Sequence, residues 1–270
     1  MTPTCIYLLI QSTWPRPRSS SSTAHGAWHN PTHYNKLTSA LRALGHSVLI
    51  PRLHSMNADN KADLYTETDQ IRSYVESLAD AGHAIIVLMH SYGGQVGTNA
   101  LTGLDTTSRK KETLPGGIVR LLYMCAHALT EGTSMFSIAQ AAGREQFLLD
   151  ALDISDDGMM AYRDVPGRMV GQGLAEDEME GYVAGLGPWN GRGMYQELRA
   201  AAWRGPPVSY IFTLRDRLMP VAYQAAMVEG IRAAGGLETF DLSTGHCAHV
   251  TMTGDVVGIL HAIVNREICS

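Results

Sequence analysis

The chain has 270 residues, 45% of them hydrophobic, and a formal net charge of −5, so it can bury a sizeable core and shows no basic excess pointing to nucleic acid or an anionic membrane as partner. Cys5, Cys125, Cys247 and Cys269 form no Cys-x-x-Cys pair and read as reduced thiols, not as a disulfide framework or a zinc site. No run reaches the length of a transmembrane helix, and the apolar stretch Cys5–Ile10 is too short, and lacks the basic flank, for a signal peptide; a cytoplasmic protein is expected.

Cys5–Ile10 is predicted to be a buried strand. Gln11–Ala24, with alternating proline and arginine and then Ser19–Ser22, has loop composition. A helix is predicted next, capped by Asn30, with Pro31 in its first turn, Tyr34, Leu37, Leu41 and Leu44 on one face, and Gly45 ending it. Ser47–Ile50 reads as a strand. Lys61–Ala81 reads as a helix with Leu64, Ile71, Tyr74, Val75 and Leu78 at helical spacing. The β-branched run Ile85–Met89 leads through His90-Ser91-Tyr92-Gly93-Gly94 into a small-residue helix ending near Gly103. Thr106–Thr113 reads as a polar loop and Ile118–Cys125 as another strand. Strands separated repeatedly by helices imply βαβ units and a mostly parallel sheet.

From Ala126 the rhythm breaks. Helical pieces, the acidic runs Asp153–Asp157 and Glu176–Glu180, and many glycines occur without a clear strand. Residues 127–203 are therefore expected to form an inserted helical cap, with 1–126 and 204–270 as the core. The sheet resumes with strand Val208–Thr213, helix Val221–Ala234, strand Leu237–Leu242 and a last helix from Gly254 to Asn265. There are no internal repeats.

The stretch around Ser91 has the pattern of a strand, a sharp turn and a helix. Such a turn strains the serine backbone and lifts its hydroxyl above the sheet, with the next N–H, of Tyr92, beside it. The plainer alternative is a serine that caps a helix. Met89 departs from the usual glycine two residues before the serine, and is tolerated if its side chain turns away from the helix. A seryl nucleophile needs a base, itself oriented by a carboxylate, and in an open parallel sheet such groups lie just beyond the carboxyl ends of strands. Asp216 meets that test, with Glu131 as the alternative acid. His246 meets it too, with His249 as competitor; His246 is favoured because Gly245 frees the backbone to swing the imidazole. The order Ser91, Asp216, His246 matches one hydrolase architecture. In His25-Gly26-Ala27 the N–H of Ala27 is expected to join that of Tyr92 as an oxyanion hole, where one donor is worth ~3–4 kcal/mol. His25, Trp28, His90, His249 and Trp189 are the candidates for contact with substrate. His29 and His33 are four apart without a carboxylate between them, so no metal site is expected. No Gly-x-Gly-x-x-Gly or phosphate loop occurs, and no cofactor is expected.

His25–His29, Leu41–His46, His90–Gly94, Arg215–Pro220 and Gly245–His246 together resemble the α/β-hydrolase superfamily. More narrowly they resemble the branch of plant methyl-ester esterases and hydroxynitrile lyases, which has many bacterial and fungal members. The resemblance spans nearly the whole chain outside Gln11–Ala24. It implies an α/β-hydrolase fold: an eight-stranded, mostly parallel central sheet flanked by helices under a helical lid, no cofactor, and Ser91, His246 and Asp216 as a triad. The expected function is a serine hydrolase acting on an ester, lactone or thioester of a small apolar molecule. The alternatives are a lyase, C–C hydrolase or cyclase using the same residues as acid and base, and a receptor-like binder with little turnover. Cys247 stands where lyase relatives carry lysine, which counts against cyanide chemistry. A small molecule is the expected partner, and a homodimer is left open.

Overall fold

A computed structural model describes residues 7–11, 28–29, 31–56 and 61–267. Cys5, the turn His25–Ala27, Asn30 and Cys269 lie outside the described residues, as does nearly all of Gln11–Ala24.

The first half of the chain supplies β1 (Tyr7–Gln11), α1 (Asn35–Ala43, preceded by a 3-10 turn over Pro31–Tyr34), β2 (Ser47–Leu49), α2 (Leu64–Asp80), β3 (Ala84–His90), α3 (Gly93–Ala100), α4 (Thr106–Lys111) and β4 (Gly117–Met124). Local chemistry accounts for several of these bounds. Asp63 caps α2 by accepting from the Thr66 N–H at 2.9 Å, and Leu64, Ile71 and Val75 form the stripe this helix buries. The predicted loop Thr106–Thr113 is instead mostly α4, because Asp105 accepts from the Ser108 N–H at 2.8 Å and starts a helix that its composition alone does not announce.

After the segment 125–207 come β8 (Val208–Thr213), α8 (Val221–Ala233), β9 (Leu237–Leu242), α9 (Ala248–Thr251) and α10 (Thr253–Glu267). The main sheet has six strands among the described residues, ordered β2-β1-β3-β4-β8-β9, against the eight that the resemblance implies. β3, β4, β8 and β9 run parallel, while β1 is antiparallel to both β2 and β3. An apolar run specifies a strand but not its direction, which is why β1 was not legible as the inverted one.

Period-two alternation divides the core between the two faces of this sheet. Ile85, Val87 and Met89 of β3 join one cluster with Ile71 and Val75 of α2, Val96 of α3 and Val228 of α8. Ile86 and Leu88 join the other, with Leu37 and Leu41 of α1 and Leu260 and Ile263 of α10. A bulge shifts the β3–β4 register between Ile85 and Ile86. It leaves Val119 as the extra residue, so that Ile118 and Leu121, three apart, face the same cluster. Each such fully buried aliphatic side chain contributes about 1.5–3 kcal/mol.

The segment between β4 and β8 is not purely helical. It holds α5 (Met135–Ala141), α6 (Glu145–Asp150), a π-helical turn Val165–Val170 and α7 (Glu176–Ala184). It also holds an antiparallel sheet of β5 (Leu152–Ile154), β6 (Met159–Tyr162) and β7 (Trp189–Asn190). These strands are two to four residues long and poor in β-branched side chains, too short for alternation to register in the sequence. Among the described residues no helix is long and apolar enough to cross a membrane.

Candidate active site

Ser91 follows the last residue of β3 with φ +55°, in the left-handed region. A non-glycine residue held there stores about 1–3 kcal/mol and needs its surroundings to fix it. Its N–H donates to the Met124 carbonyl at 3.4 Å, and its own carbonyl accepts from the N–H groups of Gly94 and His127, both at 3.0 Å. The second elbow glycine is a steric requirement: a Cβ on Gly94 would stand 2.6 Å from the His127 nitrogen. Met89 is fully buried and, by alternation, faces the side of the sheet that carries α2 and α3. It does not turn to the opposite face; the core on the helix side accepts it.

The loops beyond β8 and β9 bring two more side chains to Ser91. His246 Nε2 lies 2.8 Å from Ser91 Oγ, and His246 Nδ1 lies 2.7 Å from Asp216 Oδ2. Asp216 Oδ2 also accepts from the Thr213 hydroxyl at 2.9 Å, and Oδ1 from the N–H groups of Leu218 and Met219, both at 2.8 Å. A carboxylate that accepts everywhere fixes the tautomer of its neighbour. The proton of His246 sits on Nδ1, and Nε2 is left to accept from the seryl hydroxyl. Ser91 is only 1% exposed, and the side chains of His246 and Asp216 are fully buried.

The His246 main chain is held as firmly as its ring. Its carbonyl accepts from His90 Nε2–H at 2.9 Å and from the Cys125 thiol at 3.1 Å. His90 Nδ1 is left to accept from the Tyr34 hydroxyl at 3.2 Å. Burial, helped by neighbouring His246, pushes the His90 pKa well below the usual imidazole range, so the ring is neutral. His90 thus braces His246 from behind. Gly245 has a different role from the one expected: a Cβ there would collide with the carbonyl oxygen of Val170 in the inserted segment. Close approach, rather than freedom to swing, is what requires glycine.

The competing assignments separate cleanly. Glu131 is exposed and pairs with Arg204 at 2.8 Å. His249 stacks on Tyr34 with ring centroids 4.1 Å apart, and its Nε2 lies 3.5 Å from the Tyr182 hydroxyl. Trp28 and Trp189 are buried and meet edge to face at 5.1 Å, donating through their indole N–H groups to the Met160 carbonyl (2.5 Å) and to Ser55 Oγ (3.1 Å). Tyr92 opens α3, at whose first turn backbone N–H groups have no carbonyl within the helix. His25 and Ala27 fall outside the described residues.

Two groupings escaped the spacing argument. His29, Cys247 and His249 place possible ligand atoms within 4.8 Å of one another, as do His90, Cys125 and His246. In the first, the Tyr182 hydroxyl already occupies the centre, donating to Cys247 Sγ at 3.2 Å and bonded to His29 Nε2. In the second, His246 is engaged by Ser91 and Asp216. Both read as hydrogen-bonded networks. A cavity of about 910 Å³ lies beside the site, bordered by Arg168, Arg215, Arg217, Ser243 and Thr244. Of the expected substrate contacts among the described residues, Trp28, His90, His249 and Trp189, none lines it. Glu67 and His127, buried next to Tyr92 and Ser91 respectively, were missed. For Glu67 the signal was an acid three residues after Leu64 and four before Ile71, on the apolar stripe of α2.

Compared with known proteins, residues 23–259 match the model of the alpha/beta hydrolase family. The chain is 27% identical over 232 residues to alpha/beta hydrolase nvfD of Aspergillus novofumigatus, covering 82% of this chain and 86% of that one. It is 26% identical over 240 residues to the probable hydrolase R7 of a Phoma species, covering 86% and 93%. Among solved structures it resembles an extracellular alpha/beta-hydrolase from a Paenibacillus species, described as sharing structural and functional homology with tobacco salicylic acid binding protein 2. There the TM-score is 0.65 at 18% identity, covering 90% and 96% of the two chains, a likeness of fold.

Proposed function

The chain belongs to the alpha/beta hydrolase family, and on that premise we propose that it is a serine hydrolase cleaving an ester, lactone or thioester of a small, largely apolar molecule. The observation behind this reading is the unbroken buried chain from Ser91 Oγ through His246 to Asp216, with links of 2.8 and 2.7 Å. Ser91 attacks the substrate carbonyl while His246 Nε2 takes its proton. The tetrahedral oxyanion is received by the N–H of Tyr92 and, in this reading, that of Ala27. As the C–O or C–S bond breaks, His246 returns the proton to the leaving group. Water, deprotonated by His246, then releases the acid and regenerates Ser91. Asp216 keeps the imidazole in the working tautomer and stabilises the imidazolium.

Residues 127–203 serve as the cap, and because Ser91 is nearly inaccessible, substrate enters when part of that cap lifts. Two measurements test the reading: turnover of a panel of methyl and p-nitrophenyl esters by Ser91→Ala, and labelling of Ser91 in folded protein by a fluorophosphonate. Loss of turnover together with labelling of the native enzyme is expected. Undiminished turnover by Ser91→Ala overturns it, and failure to label Ser91 points instead to acid–base chemistry without an acyl-enzyme.

A further inference from the structure

The cavity beside the triad has a charge opposite to that of the chain. The sequence holds 26 acidic against 21 basic residues, yet no residue around this space of about 910 Å³ is acidic and three are arginines, Arg168, Arg215 and Arg217. Two loops of the core meet the inserted segment here. The Arg215 N–H donates to the Thr244 carbonyl at 2.9 Å, which fixes the loop after β8 to the loop after β9. Arg217 reaches over to the inserted segment, where one of its guanidinium N–H groups donates to the Gly167 carbonyl at 3.4 Å. That brings it to the residue next to Arg168. Ser91, Asp216 and His246 do not line the space.

Arg215 and Arg217 flank Asp216 in sequence but do not pair with it. Its carboxylate is turned inward to His246, the Thr213 hydroxyl and two backbone N–H groups. Among the described residues neither arginine has a carboxylate within ion-pair distance. Arg168 is offset in part: its Nε stands 3.9 Å from Asp164 Oδ2, and its guanidinium lies against the Tyr162 hydroxyl and 4.7 Å from the Phe147 centroid. The space is thus left with roughly two positive charges for a ligand to answer. A phosphate monoester brings about −1.5 to −2 and three acceptor oxygens that point to different sides. A carboxylate brings a single charge and two oxygens in one plane. The rest of the lining suits a hydroxylated body, because Gln172 and Ser243 are exposed polar side chains and no aromatic ring lines the space. Its volume is that of a small-molecule site.

We infer that this cavity binds a small phosphorylated sugar or polyol. Arg217 of the core and Arg168 of the inserted segment hold the phosphate from their two sides of Gly167, and Arg215 adds its charge from the core wall. The bound molecule ties the two parts of the chain together. This site goes beyond the chemistry proposed at Ser91 and does not depend on it.

The test is calorimetry at low salt with ribose 5-phosphate, on wild type and on Ser91→Ala. Both should show the same saturable binding, with Kd about 1 mM or below, and ribose should not bind. Arg217→Gln and Arg168→Gln should each weaken binding by about tenfold or more. Ribose 5-phosphate should raise the Tm of the wild type and leave that of Arg217→Gln unchanged, a difference that merely solvated arginines would not produce. Gluconate, hydroxylated but carrying a carboxylate, controls for charge alone and should bind more weakly. Gluconate binding as tight as that of the phosphate ester overturns the inference. So does absence of ribose 5-phosphate binding to the wild type, or undiminished binding by both arginine variants. No turnover is read in this test, so failure of the hydrolase reading shows separately, in the ester panel.

Discussion

Tyr92, the residue after Ser91, donates its phenolic hydrogen to Glu67 Oε2 across 3.0 Å inside the core. The other carboxyl oxygen accepts from the Ser55 N–H at 3.1 Å, and Ser55 Oγ accepts from the Trp189 indole at 3.1 Å. One carboxyl group thereby ties the elbow to the inserted segment. Burial outweighs the hydrogen bonds it accepts and pushes its pKa from 4.5 up to about 7. The folded protein therefore holds a proton that the unfolded chain releases near pH 4.5. The stabilisation from this group is complete below that pH and is lost as pH rises through about 7, a change of about 3 kcal/mol. Glu67→Gln should flatten that slope, as read by urea unfolding between about pH 5 and 8. An identical slope in the variant contradicts the assignment.

Asp216→Asn retains an oxygen for the N–H groups of Leu218 and Met219 but cannot accept from His246 Nδ1–H through its amide nitrogen. The imidazole then loses its working tautomer while the fold survives. The expected result is a fall in kcat of roughly 10³–10⁴ with little change in Tm. Asp216→Ala, which leaves four buried donors without the carboxylate they bond, should in addition cost about 3 kcal/mol or more of stability.

At Gly245 an added methyl meets the Val170 carbonyl, and at Gly94 it meets the His127 backbone. Gly245→Ala is expected to displace His246 and lower kcat by roughly 10²-fold, with KM moving less. Gly94→Ala is expected to lower stability by about 1–3 kcal/mol. Kinetics and thermal unfolding of the two variants separate these effects.

Cys125 and Cys247 are free and fully buried. Burial pushes the Cys247 thiol up to about 12, and the Cys125 thiol is raised well above its usual value for the same reason. Because the thiolate is the reactive form, iodoacetamide should label neither in the native protein and both after unfolding in urea, as read by peptide mapping with mass spectrometry.

Much of this architecture could be read from the chain because the signals were local. The run Ile85–Met89 followed by Ser91-Tyr92-Gly93-Gly94 specified strand, turn and helix in one stretch, and the strand Leu237–Leu242 falls on the residues predicted for it. His246 and His249 could not be separated on local grounds. They are three residues apart, His246 just before α9 and His249 inside it, and only the path of the chain decides that one faces Ser91 while the other stacks on Tyr34. Glu67, His127 and the Tyr182 cluster were missed for a related reason: their partners lie tens of residues away, and no spacing rule reports such pairings. The inverted β1 and the short strands of the inserted segment are set by what packs against them.

The Tyr182 hydroxyl lodges among His29, Cys247 and His249, one residue from His246 and at the far end of a helix that belongs to the inserted segment. Withdrawing that helix would break the contacts of the phenol with a thiol and two imidazoles, which favours the shut arrangement. If substrate reaches Ser91 only when this helix lifts, steady-state turnover is expected to be paced by that opening, and kcat should fall as solvent viscosity rises.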